Sequence, residues 1–573
     1  MPDSRGRGMG SGSFTTCGDY RLAVTPPINS AAACGVDATL VMRRRLRPYL
    51  TAAVVIAGAS LIAVPSVAPV PHVQARAVRL TSGDTADSPL GDSTALIMGT
   101  SGNPDPPPSY LAAIDQLYLE PRGFDGTTQL LITPEALYPF TGVKSLPFDT
   151  SEAQDQQILD AAILNQIAAG GVSAENPIVV WGWSQSSDIS GLAMPQLTAQ
   201  GVPSDDVHFV LTGDANNPDG GVLDRFAVDG LSPTVPSLGI PFGEGTPADL
   251  YPTDIYTNEY DGAADFPRYP IDFLSDLNAG LGIIFDHILY PVDTPEQIQN
   301  AIQLPTSVAD TLTDYYMIPE DLPLLEPLRF IPVIGNPLAD LLQPDLAVLV
   351  NLGYGSTTQG WDPGYADVTT PLGFLPPLSV LEQVPEALVQ GAQQGITAAI
   401  DDLQDPENYQ IIPSILDNGF INQAIDVSHL LGYTDATDLS SLLDYPSLQD
   451  AIPNLLDVAQ KALAGFAGFP ISDVNLLSSP TDLLDDLAST VSADYASVLP
   501  VADAVTALLT SLPTYDADVF ASQLQDGNLL GAIGDPIAAD LVLIPTALIF
   551  AAAAPVEAAV GTLVNVVDLI PGL

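Results

Sequence analysis

The chain has 573 residues, 46% of them hydrophobic, enough for a large core and more than one structural unit. Acidic residues outnumber basic ones 69 to 15, and residues 1–80 hold nine of those basic residues with only three acids. A surface this negative repels phosphate backbones, which excludes nucleic acid as a partner. The apolar content excludes a disordered acidic chain.

Residues 1–41 are rich in Gly and Ser and show little periodicity. They are expected to be an untranslated or disordered extension, with translation starting at Met42. Arg43 to Arg47 then form a basic stretch, Leu50 to Val64 an apolar one, and Ala75-Arg76-Ala77 a small-x-small cleavage site. Residues 42–77 therefore read as a signal peptide, or as an N-terminal anchor if they are retained. Either reading puts the remainder outside the cytoplasm, secreted or associated with the cell envelope or a membrane surface. Cys17 and Cys34, the two cysteines, lie upstream, so an exported chain carries no disulfide, thiol nucleophile or cysteine metal site.

Residues 78–92 read as a linker. Beyond it, strand-like and helix-like segments alternate, the pattern of an α/β fold with a parallel sheet and helices on both faces. Ala95 to Met98 is a short strand ending in a glycine-containing turn. Tyr110 to Leu119 is helical, Thr128 to Ile132 a strand, and Glu152 to Ala169 a helix stopped by Gly170-Gly171. Pro177 to Val180 is a strand, Ile189 to Gln200 a helix bent or interrupted by Pro195, and Val207 to Leu211 a further strand. Residues 213–252 form a Pro- and Gly-rich excursion, and Asp254 to Tyr260 is the last strand candidate. From residue 356 to 573 Leu, Ala and Asp dominate, and a mainly helical C-terminal region is expected. Residues 541–554 read as a buried helix, with Pro545 and the segment's length arguing against a membrane span.

Chemistry enters at GWSQS (182–186). A Gly-x-Ser-x-small pentapeptide is a weak signal alone, but here it follows a strand-forming run. A nucleophile elbow needs small residues two before and two after the serine, and Gly182 and Ser186 fill those places. A serine nucleophile needs a base, and the base a carboxylate. There are four histidines. His72 lies in the signal segment, His208 at the start of a strand and so at the opposite edge from the elbow, and His429 in the C-terminal region. His287 remains, after the last strand candidate, where the chain order Ser, Asp, His places the base. The acid is expected at Asp265, with Asp261 as the alternative and Asp214 a distant third, because a loop aspartate a few residues past a strand can reach the histidine. The oxyanion donors are expected from the N–H of Gln185 and from Thr100 or Ser101 in the turn after the first strand. No metal site is evident: DANNPDGG (214–221) lacks the ligand spacing and closing glutamate of a calcium loop. No cofactor is expected.

In order along the chain, MGTSGNPDPPPSY (98–110), GWSQS (182–186), DANNPDGGVLDRF (214–226), YDGAADFP (260–267), His287-Ile-Leu-Tyr290 and LPLLEPLRFIPVIGNPLADLLQPDLAVLVNLGYG (322–355) resemble the PE-PPE-domain serine hydrolases of mycobacteria and relatives. The likeness spans residues 93–355. It implies a cutinase-like α/β-hydrolase fold with Ser184 as nucleophile, His287 as base and an Asp of YDGAAD as third member. No PE or PPE helical module is evident before it. That resembles the subset of the family that moves acyl chains between trehalose-type envelope glycolipids. Two activities follow as expectations: hydrolysis of acyl esters, and acyl transfer to a sugar by the same residues. The two differ in what reaches the acyl-enzyme, and residues 222–252 or the C-terminal region could form an apolar cover over the site that excludes water. A third, non-enzymatic reading is an envelope protein with a decayed hydrolase fold.

Overall fold

The computed structural model describes residues 90–404 and 498–568, except 229–230, 232, 244, 309–310 and 332, together with the single residues Gln423 and Leu430. Side chains are described as far as Ala552. The expectations for residues 1–89, including the start at Met42 and the signal segment, and for His429 lie outside the described residues.

Seven strands form one sheet: β1 (Thr94–Ile97), β2 (Thr127–Leu130), β3 (Ile178–Trp183), β4 (Val207–Thr212), β7 (Thr253–Asn258), β8 (Ile302–Gln303) and β9 (Thr313–Ile318). Their order across the sheet is β2-β1-β3-β4-β7-β9-β8, parallel throughout except for β8, an antiparallel edge strand. A short hairpin of β5 (Thr234–Val235) and β6 (Ile240–Pro241) lies in the Pro-rich excursion.

Every residue of β3, β4 and β7 is buried, as expected of strands covered on both faces. Successive side chains point to opposite faces, so the sheet feeds two cores. Val179, Trp181, Trp183, Val210, Tyr256 and Tyr316 face Tyr110, Ile114 and Tyr118 of the segment that begins with α1 (Pro108–Ile114). Ile178, Val180, Phe209, Leu211, Ile255 and Tyr315 face Leu159 and Ile163 of α2 (Phe148–Ala169) and Ile189, Met194 and Leu197 of α3 (Gln185–Ala199). Burying a side chain of this size contributes about 1.5–3 kcal/mol.

Three elements differ from the sequence expectation. Helix α3 starts at Gln185, directly after β3, and Pro195 sits inside it without ending it. Strand β9 follows His287 in the chain and adds a further parallel strand beyond β7. In the C-terminal region, α7 (Val498–Gln525) is joined by a short turn to α8 (Leu529–Asp568), and α8 runs through Pro545. Helix α8 is two-faced rather than buried. Ala532, Ala538, Ala539, Val542, Ala547 and Phe550 are covered, while Leu530, Ile533, Ile537, Leu541, Ile544 and Leu548 form an exposed stripe at spacings of three and four. By length and composition alone, Val498–Gln525 and Leu529–Ala552 could each cross a membrane, with mean hydropathies of 1.2 and 1.7.

Helices α4 (Phe273–Phe285), α5 (Gly335–Asn351) and α6 (Val384–Gln404) are the long helices of residues 253–404, with shorter ones at Pro295–Gln299, Glu326–Arg329 and Leu378–Leu381. The chain stays on the domain past residue 355. Gly360 N–H donates to Glu259 Oε1 (2.7 Å), Thr370 N–H to Pro218 O (3.1 Å) and Leu372 N–H to Arg225 O (3.0 Å).

Candidate active site

Ligand sites in open parallel sheets lie beyond the carboxyl ends of the strands. Here the ends of β3, β4 and β7 carry Ser184, Gly213 and Asp261. Ser184 lies between β3 and α3 with φ +59° and ψ −125°, a conformation L residues rarely adopt and one that marks a nucleophile elbow. Gly182 has to be glycine: a Cβ there would lie 2.6 Å from Ser186 O. Ser186 ties the turn inward, donating to Gly99 O (2.7 Å) and accepting from Trp183 N–H (2.8 Å). Ser184 N–H donates to Thr212 O (3.0 Å), fixing the elbow to the end of β4.

His287 lies 2.8 Å from Ser184 Oγ through Nε2. Its Nδ1 lies 2.7 Å from Asp261 Oδ2 and 2.9 Å from Oδ1. Trp183 Nε1–H donates to His287 O (3.0 Å), so the elbow also holds the backbone of the histidine. Asp261 is fully buried, and the His287 side chain is 12% exposed. The three residues thus form one hydrogen-bonded line from an accessible hydroxyl to a buried carboxylate.

The expected acid, Asp265, is not in that line. Strand β7 ends at Asn258, two residues earlier than the sequence suggests, and Asp261 N–H turns back onto Asn258 O (3.0 Å). The residue a few places past the strand is therefore Asp261. The chain then folds on itself: Asp265 N–H donates to Asp261 O (2.6 Å), and Asp265 Oδ2 accepts from Tyr260 N–H (3.1 Å). Burial pushes the Asp265 carboxyl well above the usual carboxylate range. Asp214 accepts from Thr246 Oγ1 (2.7 Å) and Asn216 N–H (3.0 Å), away from His287. His208 sits at the opposite end of the sheet with Asp254 (2.8 Å), as expected from its place at the start of β4.

The expected oxyanion residues come together beside the elbow. Ser101 Oγ donates to Gln185 Oε1 (2.8 Å), and Gln185 Nε2 donates to Ala136 O (3.1 Å). The turn holding Thr100 and Ser101 is pinned by Asn103 N–H on Thr100 O (2.8 Å) and by Gly102 N–H on Glu135 O (2.8 Å). Glu135 is fully buried with φ +47°, and burial lifts its carboxyl to about 8. Gln185 N–H belongs to the first turn of α3, whose donors have no carbonyl partner within the helix.

Sequence reasoning gave no role to two residues. Tyr290 donates from its hydroxyl to Asp261 Oδ2 (2.8 Å) and accepts from Asn258 N–H (2.9 Å). Arg225, 1% exposed, donates from Nε to Phe266 O (2.8 Å) and from Nη1 to Thr370 O (2.5 Å) and the Thr370 hydroxyl. It locks the 260–267 loop to residues 214–226. Both stand inside motifs that the sequence displays, and only their folding partners reveal what they do.

Residues 125–355 match the PE-PPE domain. The chain is 39% identical over 499 residues to the uncharacterized PPE family protein PPE28 of Mycobacterium tuberculosis, covering 84% of this chain and 68% of that one. It is 40% identical over 371 residues to Esterase PE16 of the same organism, covering 62% of this chain and 66% of the relative. Among solved structures, a cutinase-like protein from Cryptococcus sp. aligns at 17% identity and a TM-score of 0.23, covering 37% of this chain and 92% of that one.

Proposed function

We propose, from the premise that the chain belongs to the PE-PPE domain family, that it is a serine ester hydrolase working through Ser184, His287 and Asp261. The observation that carries the reading is the line Ser184 Oγ, His287 Nε2, His287 Nδ1, Asp261 Oδ2, at 2.8 and 2.7 Å, on a strained elbow. The name Esterase PE16, borne by a relative, agrees with it.

In this mechanism Ser184 Oγ attacks the ester carbonyl carbon while His287 Nε2 takes the hydroxyl proton. Asp261 accepts from Nδ1–H, fixing the tautomer and stabilising the imidazolium. The carbonyl oxygen, now an oxyanion, is held by the N–H of Gln185 and an N–H of Thr100 or Ser101. The tetrahedral intermediate collapses, the C–O bond breaks, and the alcohol leaves with the proton from His287. Water, deprotonated by His287, then attacks the acyl-enzyme and releases the acid and Ser184.

Export and contact with a lipid surface belong to the same proposal. They are supported by the basic-apolar-small pattern of residues 42–77 and by the exposed apolar stripe on α8. Co-flotation with anionic and neutral lipid vesicles tests the surface contact. The enzymatic test is hydrolysis of p-nitrophenyl esters. Ser184→Ala and His287→Ala should each lower kcat by at least about 10^3-fold with the fold intact. Undiminished turnover in Ser184→Ala rejects the reading. Adding a trehalose glycolipid to the assay asks whether a sugar hydroxyl competes with water for the acyl group.

A further inference from the structure

Residues 222–226 and 233–242 and helices α7 and α8 line an apolar cavity of about 510 Å³. Its walls include Leu223, Phe226, Leu238, Tyr515, Leu543 and Phe550. The first three belong to the matched family domain and the last three lie beyond its end at residue 355. The volume falls within the range of about 300–1,000 Å³ typical of small-molecule sites.

The walls are mostly apolar; Asp518, Ser511, Thr546 and Thr234 also line them, and four further hydroxyls are already donating within the protein. Thr506, Thr510 and Thr514 line the cavity one turn apart on α7. Each hydroxyl donates to the carbonyl four residues back, at 2.8, 2.6 and 2.9 Å. The donors are spent within the helix. Ser237 Oγ, also on the wall, donates to Asp503 O (2.9 Å). Leu223, Phe226, Leu238, Leu543 and Phe550 leave most of the wall apolar, a surface that a hydrocarbon chain covers without losing hydrogen bonds.

The cavity wall is bonded to the loops that hold the candidate catalytic residues. Val222 N–H donates to Ala263 O (2.8 Å), two residues from Asp261. Leu137 packs on the same apolar cluster as Leu223, Phe226, Tyr515 and Val542, and it follows Ala136, whose carbonyl accepts from Gln185. Tyr138, next in the chain, donates to Asp503 Oδ2 on α7 (2.7 Å).

We propose that this cavity takes the aliphatic chain of an acyl ester and that the C-terminal helices build it. As the subsite of an enzyme it rests on the esterase reading; as a chain-binding site it does not. The substrate class is then a long-chain ester, with a short-chain one leaving the cavity unfilled.

The test uses the full chain carrying Ser184→Ala, with cis-parinaric acid as the fluorescent probe and saturated fatty acids as competitors. Saturable binding is expected, with competitors gaining about fourfold in affinity per added methylene until the cavity is full, the equivalent of about 0.8 kcal/mol per buried methylene. Thr546→Trp on α8 and Thr510→Trp on α7 project into the cavity from exposed positions and should each weaken binding at least tenfold. Ala517→Trp, exposed on α7 and off the cavity wall, should not. In the chain with Ser184 intact, the two cavity variants should lower the ratio of kcat/KM for a palmitoyl ester to that for an acetyl ester at least tenfold. Absence of saturable binding, or unchanged binding in both folded cavity variants, overturns the proposal. Saturable binding without any ester turnover by the intact chain overturns the esterase reading instead and leaves the chain-binding site standing.

Discussion

The Tyr290 hydroxyl lies 2.8 Å from Asp261 Oδ2, the same oxygen that meets His287 Nδ1. Tyr290 is fully buried and also accepts the N–H of Asn258 at the end of β7. It holds the carboxylate against the strand end while the histidine uses it. Tyr290→Phe removes one donor from Asp261 and leaves a buried N–H unpaired, which costs about 1–3 kcal/mol. We expect kcat to fall about tenfold with KM nearly unchanged and Tm to drop; a change confined to Tm would assign Tyr290 to stability alone.

The two aspartates of the same loop separate by mutation. Asp261→Asn puts an N–H donor where His287 needs an acceptor, and kcat should fall by about 10^3–10^4-fold. Asp265→Asn replaces a buried carboxyl, pushed well above the usual range by burial and not bonded to His287, with a group of the same shape, and kcat should stay within about threefold. Steady-state kinetics on a short-chain ester measures both. The reverse order of effects would return the role to Asp265.

Gly213 follows β4 with φ +58°, and a Cβ there would lie 3.0 Å from His287 Cε1 and 2.9 Å from Tyr290 Cε2. Gly213→Ala should displace the imidazole and lower kcat about ten- to a hundredfold. Gly201, φ +82° with nothing within 4 Å of an added Cβ, is the control. Gly201→Ala carries only the backbone cost of about 1–2 kcal/mol and should leave kcat alone.

Stability should fall as pH rises. Burial lifts Glu135 and Asp276 to about 8, and Asp219, Asp224, Glu259 and Glu320 to about 7. Unfolded, these groups release their protons near pH 4, so between about pH 4 and 8 the folded chain holds protons that the unfolded chain has lost. Their contribution is full below pH 4 and is lost as the pH passes through 7 to 8. Asp254 runs the other way: burial raises it, but Arg122 and His208 together hold it below the usual range. Calorimetry should find a higher Tm at pH 5 than at pH 8; a higher Tm at pH 8 would contradict this balance of groups.

Much of the site could be read from residue types in order. GWSQS displays its own turn, because only small residues at 182 and 186 let strand and helix approach. His287 emerges by eliminating the other histidines. The choice between Asp261 and Asp265 depends on where β7 ends: a strand running to Tyr260 favours Asp265, whereas one ending at Asn258 sets Asp261 beside His287. Strand β9 has no clear signal in the sequence, because TDYYMI stands amid a stretch with little alternation around it. Tyr290 and Arg225 act through partners that sequence does not place. The cavity joins residues 222–226 and 233–242 to α7 and α8, elements more than 250 residues apart, so no local pattern announces it.

An activated nucleophile at Ser184 reacts with a fluorophosphonate. The most direct measurement is intact-mass and peptide mapping after exposure to a fluorophosphonate probe. A single adduct on Ser184 is expected, abolished in Ser184→Ala and strongly slowed in His287→Ala and Asp261→Asn. A folded, unlabelled protein, or an adduct on another residue, would contradict it.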